Sequence, residues 1–179
     1  MKKLLLLITI LIVPILLITG CGNKDKKVID NSKTIELEDS GFKFKTIFKY
    51  DPSLTIDDIE YDDENKSREL SFEMTELGLD FEMYYTETGT SIFNSTKESR
   101  SNKKYYQEYK FNGYDAYCYS DYDDHLYVII SLKKDNKKDV VDELFVSIES
   151  DNVDTIVYDV FTQDTLQKFF NSIKVEEIK

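Results

Sequence analysis

The sequence has no tryptophan, one histidine, two cysteines and only six glycines. With a single histidine, a zinc site built from several of them is excluded. Any Ser-His-Asp or Cys-His catalytic set would have to run through His125. The glycines form no glycine-rich phosphate loop, which speaks against nucleotide chemistry. Basic residues are also in short supply: 23 Lys+Arg stand against 35 Asp+Glu, for a formal net charge of −12. Such a surface repels nucleic acid and anionic lipid headgroups, so no nucleic-acid partner is expected. The apolar run from Leu4 to Thr19, interrupted by Pro14, is shorter than the about 20 residues a spanning helix needs.

That run follows a basic start, Met1-Lys2-Lys3, and ends in Ile18-Thr19-Gly20-Cys21. A basic n-region, a compact apolar h-region and small residues before a cut make a secretory signal. The last four residues resemble the lipobox of bacterial lipoproteins. The resemblance implies a signal peptide over residues 1–20, cleavage before Cys21 and a diacylglyceryl group on its thiol. Membrane lipid would then be a partner, with each buried methylene contributing about 0.8 kcal/mol. The chain would sit on the extracytoplasmic face of a cell membrane, in the Gram-positive manner. The alternative is an ordinary cleaved signal or an uncleaved anchor, with Cys21 incidental. If Cys21 is acylated, Cys118 is the lone thiol and no internal disulfide can form.

Residues 21–37 are polar and charged and read as the lipidated cysteine and a flexible tether, with a reach of about 50 Å at full extension. Residues 38–179 then form a single domain. Its 13 tyrosines and 11 phenylalanines favour strands. In "FKFKTIFKY", Phe42, Phe44, Thr46, Phe48 and Tyr50 share one face. "RELSFEM" and "GLDFEMYY" form a hairpin with Leu70, Phe72, Met74, Leu79, Phe81 and Met83 inward, and Gly78 at the turn. A short helix anchored by Ile92 and Phe93 is expected between Thr88 and Lys104. Asn112-Gly113 between "YYQEYKF" and "YDAYCYS" is a strong hairpin signal. "HLYVIISLKK" reads as a buried strand. "DELFVSIES" reads as a strand by its alternation, although Val140, Val141, Leu144, Phe145 and Ile148 also fit a helix. Leu166, Phe169, Phe170 and Ile173 mark a C-terminal amphipathic helix, with Thr162 as N-cap and a Phe161–Leu166 staple. The fold class is α+β: one antiparallel sheet of about six strands with helices packed on it.

"FKF", "FNGYDAY" and "LQKFFNSIKV" together resemble the PsbP-like group of extracytoplasmic domains. The resemblance spans most of Gly41 to Val175. It implies a fold and carries no functional residue.

Several constellations compete with plainer readings. His125 stands beside Asp123 and Asp124 at the end of a hairpin, a plainer place than a catalytic set. Cys118, between Tyr117 and Tyr119, fits a small buried hydrophobe better than a reactive thiol, which needs an electropositive setting. Asp57, Asp58, Glu60, Asp62, Asp63 and Glu64, and again Asp121, Asp123 and Asp124, could offer calcium its oxygens. Neither set has the EF-hand spacing, and solvated acidic loops explain both; no metal or other cofactor is expected. The tyrosines Tyr105, Tyr106, Tyr109, Tyr114, Tyr117, Tyr119, Tyr122 and Tyr127 could line one exposed sheet face. If Ala116 and Cys118 face the core, Tyr117 and Tyr119 point to solvent. Tyrosine is enriched at interfaces, so Tyr117, Tyr119, Tyr105 and Tyr109 are the candidate interaction surface. The basic residues Lys97, Arg100, Lys103 and Lys104 adjoin it. Cross-strand ring packing is the competing explanation.

These features point to a membrane-anchored, non-enzymatic binding module, with an envelope protein as the expected partner. A small-ligand receptor is the alternative, and a hydrolase ranks behind both for want of an assembled catalytic set.

Overall fold

Alternation of apolar and polar residues dominates the domain, and the computed structural model resolves it into ten strands arranged as two antiparallel sheets, with three short α-helices, among the described residues. The structure describes residues 33–38, 44–62, 69–86, 93–132 and 143–178. The leader, Cys21 and the tether up to residue 32 lie outside them, as do Phe42, Asp63, Glu64 and Ile92. Asn31 to Lys179 forms one compact unit. No helix among the described residues is long and apolar enough to cross a membrane.

The small sheet has β2 (Phe44–Tyr50) at its centre, flanked by β1 (Lys33–Glu38) and β10 (Lys174–Glu177). β1 corrects the tether assignment for residues 33–37. Ile35 and Leu37 are buried while Glu36 and Glu38 are not, a period-two pattern short enough to hide in a polar stretch. β10 is likewise a strand beyond the expected set. Phe44, Thr46 and Phe48 point into the core as the alternation requires.

The large sheet runs in the order β3 (Ile56–Asp62), β4 (Glu69–Met74), β5 (Leu79–Thr86), β9 (Glu143–Glu149), β8 (His125–Ser131), β7 (Tyr114–Tyr119) and β6 (Gln107–Phe111). Both expected hairpins are present. The β4–β5 turn is a single 3-10 turn closed by Gly78 at φ +58°, and the β6–β7 turn carries Asn112 and Gly113 at φ 48° and 87°. Residues 143–149 form a strand, not a helix. It lies in the middle of the sheet, pairing β5 on one side and β8 on the other, so a two-faced, β-rich sequence is satisfied there on both faces.

The inner face of this sheet makes the main core. α2 (Val157–Phe161) and α3 (Asp164–Asn171) lie on it beside the small sheet. Leu166, Phe169 and Phe170 are buried from α3. Phe169 stacks on Phe48 at 4.8 Å and meets the stacked Phe72–Phe81 pair edge-on. Thr46, polar and wholly buried, accepts a hydrogen bond from the Tyr85 hydroxyl at 2.8 Å, and that hydroxyl also contacts the Leu37 carbonyl. A buried hydroxyl left unpartnered would cost about 1–3 kcal/mol, so this bond ties β1 and β2 to β5.

Thr162 is not the N-cap of the last helix. It is the C-cap of α2, and its hydroxyl bonds back to the Asp159 carbonyl. Gln163 precedes α3 in extended conformation without a side-chain cap. The i, i+4 pair Val157 and Phe161 builds α2 in a stretch too short for helical periodicity to stand out.

Candidate functional site

The outer face of the large sheet is built from the alternate residues of the same strands. Register places Tyr84 opposite Phe145, Phe145 opposite Ile129, Tyr119 opposite Tyr127 and Tyr117 opposite Ile129. The rings therefore form a row across four adjacent strands. Centroid separations are 4.7 Å for Tyr84–Phe145, 5.4 Å for Phe145–Tyr127, 5.1 Å for Tyr127–Tyr119 and 6.0 Å for Tyr119–Tyr117.

One end of the row is covered. α1 (Phe93–Arg100) lies over Tyr117 and Ile129, with Phe93 against the Tyr117 ring at 5.2 Å. The Tyr117 hydroxyl donates to Thr96 Oγ1 at 3.1 Å. Tyr117 is 1% exposed, which corrects the expectation that it points to solvent. The alternation names its face rightly, but it cannot name the helix that sits on that face. Tyr105 and Tyr109 are turned the other way. Tyr105 stacks on Tyr158 of α2, and Tyr109 meets Phe111 and Phe161 on the core side. Of the four tyrosines singled out from sequence, Tyr119 alone reaches an open part of this face.

The other end of the row opens into a hollow of about 510 Å³. Tyr84, Tyr119, Tyr127 and Phe145 are its aromatic walls, and Arg100 reaches in from α1 to stand over the Tyr119 ring at 5.0 Å. Glu82, His125, Ser147 and Glu149 complete the lining. His125 Nδ1 meets Glu149 Oε1 at 2.9 Å, its Nε2 lies 3.4 Å from Ser147 Oγ, and its ring packs on Tyr127 at 4.2 Å. Ser147 Oγ also donates to Glu149 Oε1 at 3.5 Å. Sequence reading ties His125 to Asp123 and Asp124; the β8–β9 register instead pairs it with Glu149. The signal is the shared outer-face parity of Ser147 and Glu149, legible only once β9 is known to lie beside β8.

The carboxylates of the hollow crowd one another. Burial, then the charge and hydrogen bond of Glu69, then the charge of Glu149, raise Glu82 to about 6. Burial, helped by the Glu82 and Glu69 charges, pushes Tyr84 up to about 12. Burial also raises Tyr119, against the pull of Arg100, and raises Tyr127 together with Glu149 and Glu82. The phenols therefore stay neutral, presenting rings and hydroxyls without charge.

The basic run beside this face is mostly spent. Lys97 pairs with Glu108 at 2.9 Å, Lys103 with Asp121, and Lys104 with Asp123 at 2.6 Å. Tyr105 adds its hydroxyl to Asp123. Two of the acids grouped as a possible calcium set are thus held by lysines, and both titrate below the usual carboxylate range for that reason. The first acidic set lies along β3, where Asp57, Asp58, Glu60 and Asp62 are exposed on the edge of the sheet. Among the described residues no group of three His, Cys, Asp or Glu side chains is placed to hold a metal ion. Cys118 is fully buried on the core face, and burial pushes its thiol up to about 12.

Comparison of the chain with protein-family models, with curated proteins and with solved structures yields no match.

Proposed function

We propose that the chain is a lipid-anchored, extracytoplasmic binding module that takes its ligand in the aromatic hollow. The hollow is the observation that carries this reading: four rings, two carboxylates and a guanidinium converge on one open concavity of the large sheet. Its volume of about 510 Å³ lies within the roughly 300–1,000 Å³ of small-ligand sites. This favours a compact group over a broad, flat protein contact. The anchor rests on the sequence Ile18-Thr19-Gly20-Cys21.

The reading is non-catalytic even though Ser147, His125 and Glu149 are neighbours. A hydrolytic serine needs N–H donors aimed at the developing oxyanion. Ser147 lies mid-strand with ladder partners in both β5 and β8, where backbone N–H groups are spent on pairing.

Two experiments test the proposal. A photo-crosslinking amino acid at Tyr122, an exposed side chain close to Tyr127, is compared in the native cells with the same probe at Lys110, on the far edge of the sheet. Mass spectrometry should find a species captured at Tyr122 alone and lost when Tyr119 and Tyr127 are both replaced by alanine. Equal labelling at the two positions would overturn the hollow as the binding surface. For the anchor, Cys21→Ala should abolish fatty-acid labelling and leave the precursor uncut; normal processing of that variant would remove the lipoprotein assignment.

A further inference from the structure

We propose that the hollow is a site for a small organic cation, an ammonium or guanidinium group on a compact carbon skeleton, held between the aromatic rings and the Glu82 and Glu149 carboxylates. The inference rests on the reading of the hollow as the binding surface and names the chemistry of its occupant.

Three observations converge on it. The faces of aromatic rings carry negative charge density and attract cations within about 6 Å of the centroid; here the rings of Tyr84, Tyr119, Tyr127 and Phe145 line one concavity. The carboxylates among them are Glu82 and Glu149, against the single guanidinium of Arg100, and Glu69 stands close enough to Glu82 to share a hydrogen bond with it. An anionic ligand would have Arg100 alone as a fixed charge to set against these carboxylates, whereas a cation would neutralise them. Finally, the molecule supplies its own example. Lys97, Lys103 and Lys104 are bound to carboxylates of their own, but Arg100 turns from α1 into the hollow and stands over the Tyr119 ring at 5.0 Å. The site already accommodates one organic cation, and it has volume to spare.

This arrangement makes Arg100 a competitor for the ligand. Removing it vacates the Tyr119 face and deletes the one fixed positive charge among the residues lining the hollow. A cation should then bind more tightly, although the protein has lost a contact.

The test is a titration of the purified full-length chain with choline, with butylammonium and with dimethylbutanol, the uncharged carbon isostere of choline. The readout is the upfield ring-current shift of the ligand protons, together with the tyrosine ring resonances. Both cations should saturate, and the neutral isostere should bind at least about tenfold more weakly. Tyr127→Ala should weaken the cations about tenfold, Glu82→Gln should weaken them severalfold, and Arg100→Ala should tighten them. Glu82→Gln keeps the shape of the side chain and remains informative if the tyrosine variant fails to fold. Equal affinity for dimethylbutanol would show an apolar pocket and overturn the proposal. Failure of both cations to saturate, or indifference to Glu82→Gln and Arg100→Ala, would overturn it as well. Crosslinking confined to Tyr122 alongside a failed cation titration would leave the hollow as the binding surface and remove only the cation.

Discussion

One row of rings on the outer sheet face ends in two different settings. At the β7 end, Tyr117 lies under α1, with Phe93 on its ring, a hydroxyl bond to Thr96 and 1% of its surface exposed. At the β5 end, Tyr84 and Phe145 carry the same kind of ring stacking, yet they are half-buried and border an open hollow with Glu82 beside them. The strands, register and residue types are alike. What separates a core tyrosine from one bordering the hollow is an eight-residue helix whose one buried side chain is Phe93. On a sheet with two usable faces, the proposed site lies where the cover stops.

The comparison can be broken most directly by stability measurements on its two ends. Tyr117→Ala should cost about 3–5 kcal/mol in denaturant unfolding, the range for an emptied aromatic core site. Tyr127→Ala, whose ring borders the hollow, should cost about 1 kcal/mol, as a change at a half-exposed position does. Equal losses would erase the distinction between the covered and open ends.

A second effect, smaller and dependent on pH, belongs to the open end. Glu82 titrates near 6 in the folded protein, above its ordinary 4.5, so the fold prefers its protonated form. The stability this group contributes is fully present below about pH 4.5 and is lost as pH rises through about 6. Glu82→Gln should therefore raise stability by about 1–2 kcal/mol at pH 8 and leave it nearly unchanged at pH 4. A gain of the same size at both values would show that charge crowding is not the cause. Ligand-free and cation-loaded protein should also differ in this slope, since a bound cation favours the ionised carboxylate.

The smallest effect belongs to the covered end. Thr96→Val keeps the shape of the side chain but removes the acceptor of the Tyr117 hydroxyl bond. It should cost about 1 kcal/mol and speed exchange of the α1 amides. No change in exchange would mean that Phe93 alone holds the helix.

Much of this architecture was legible in the residues. Leu70, Phe72 and Met74 against Leu79, Phe81 and Met83, and Asn112-Gly113 between two alternating runs, announced their hairpins because periodicity and turn chemistry are local. β1 and β10 were not legible, since six and four residues give alternation too few repeats to stand out from a polar tether or a helix end. α2 was hidden for the same reason. The site divided along the same line. Alternation assigned Tyr117 and Tyr119 to one face and Ala116 and Cys118 to the other, and both assignments hold. It could not say that α1 closes over Tyr117, that Tyr105 turns to Tyr158, or that Ser147 and Glu149 arrive beside His125. Those facts depend on strand order, and β9 enters the centre of the sheet from late in the chain.

The small sheet has a consequence in time. Its central strand, β2, pairs with β1 just before it in sequence, but its other partner is β10, with Ile47 opposite Lys174. Pairings between residues so far apart in sequence form slowly, because the long loop must close before the contacts reward it. As the chain emerges from the ribosome, β2 therefore keeps one open edge until β10, Lys174–Glu177, has been made. Completion of the small sheet waits for that strand, and a chain cut short just before it would be left with that edge exposed.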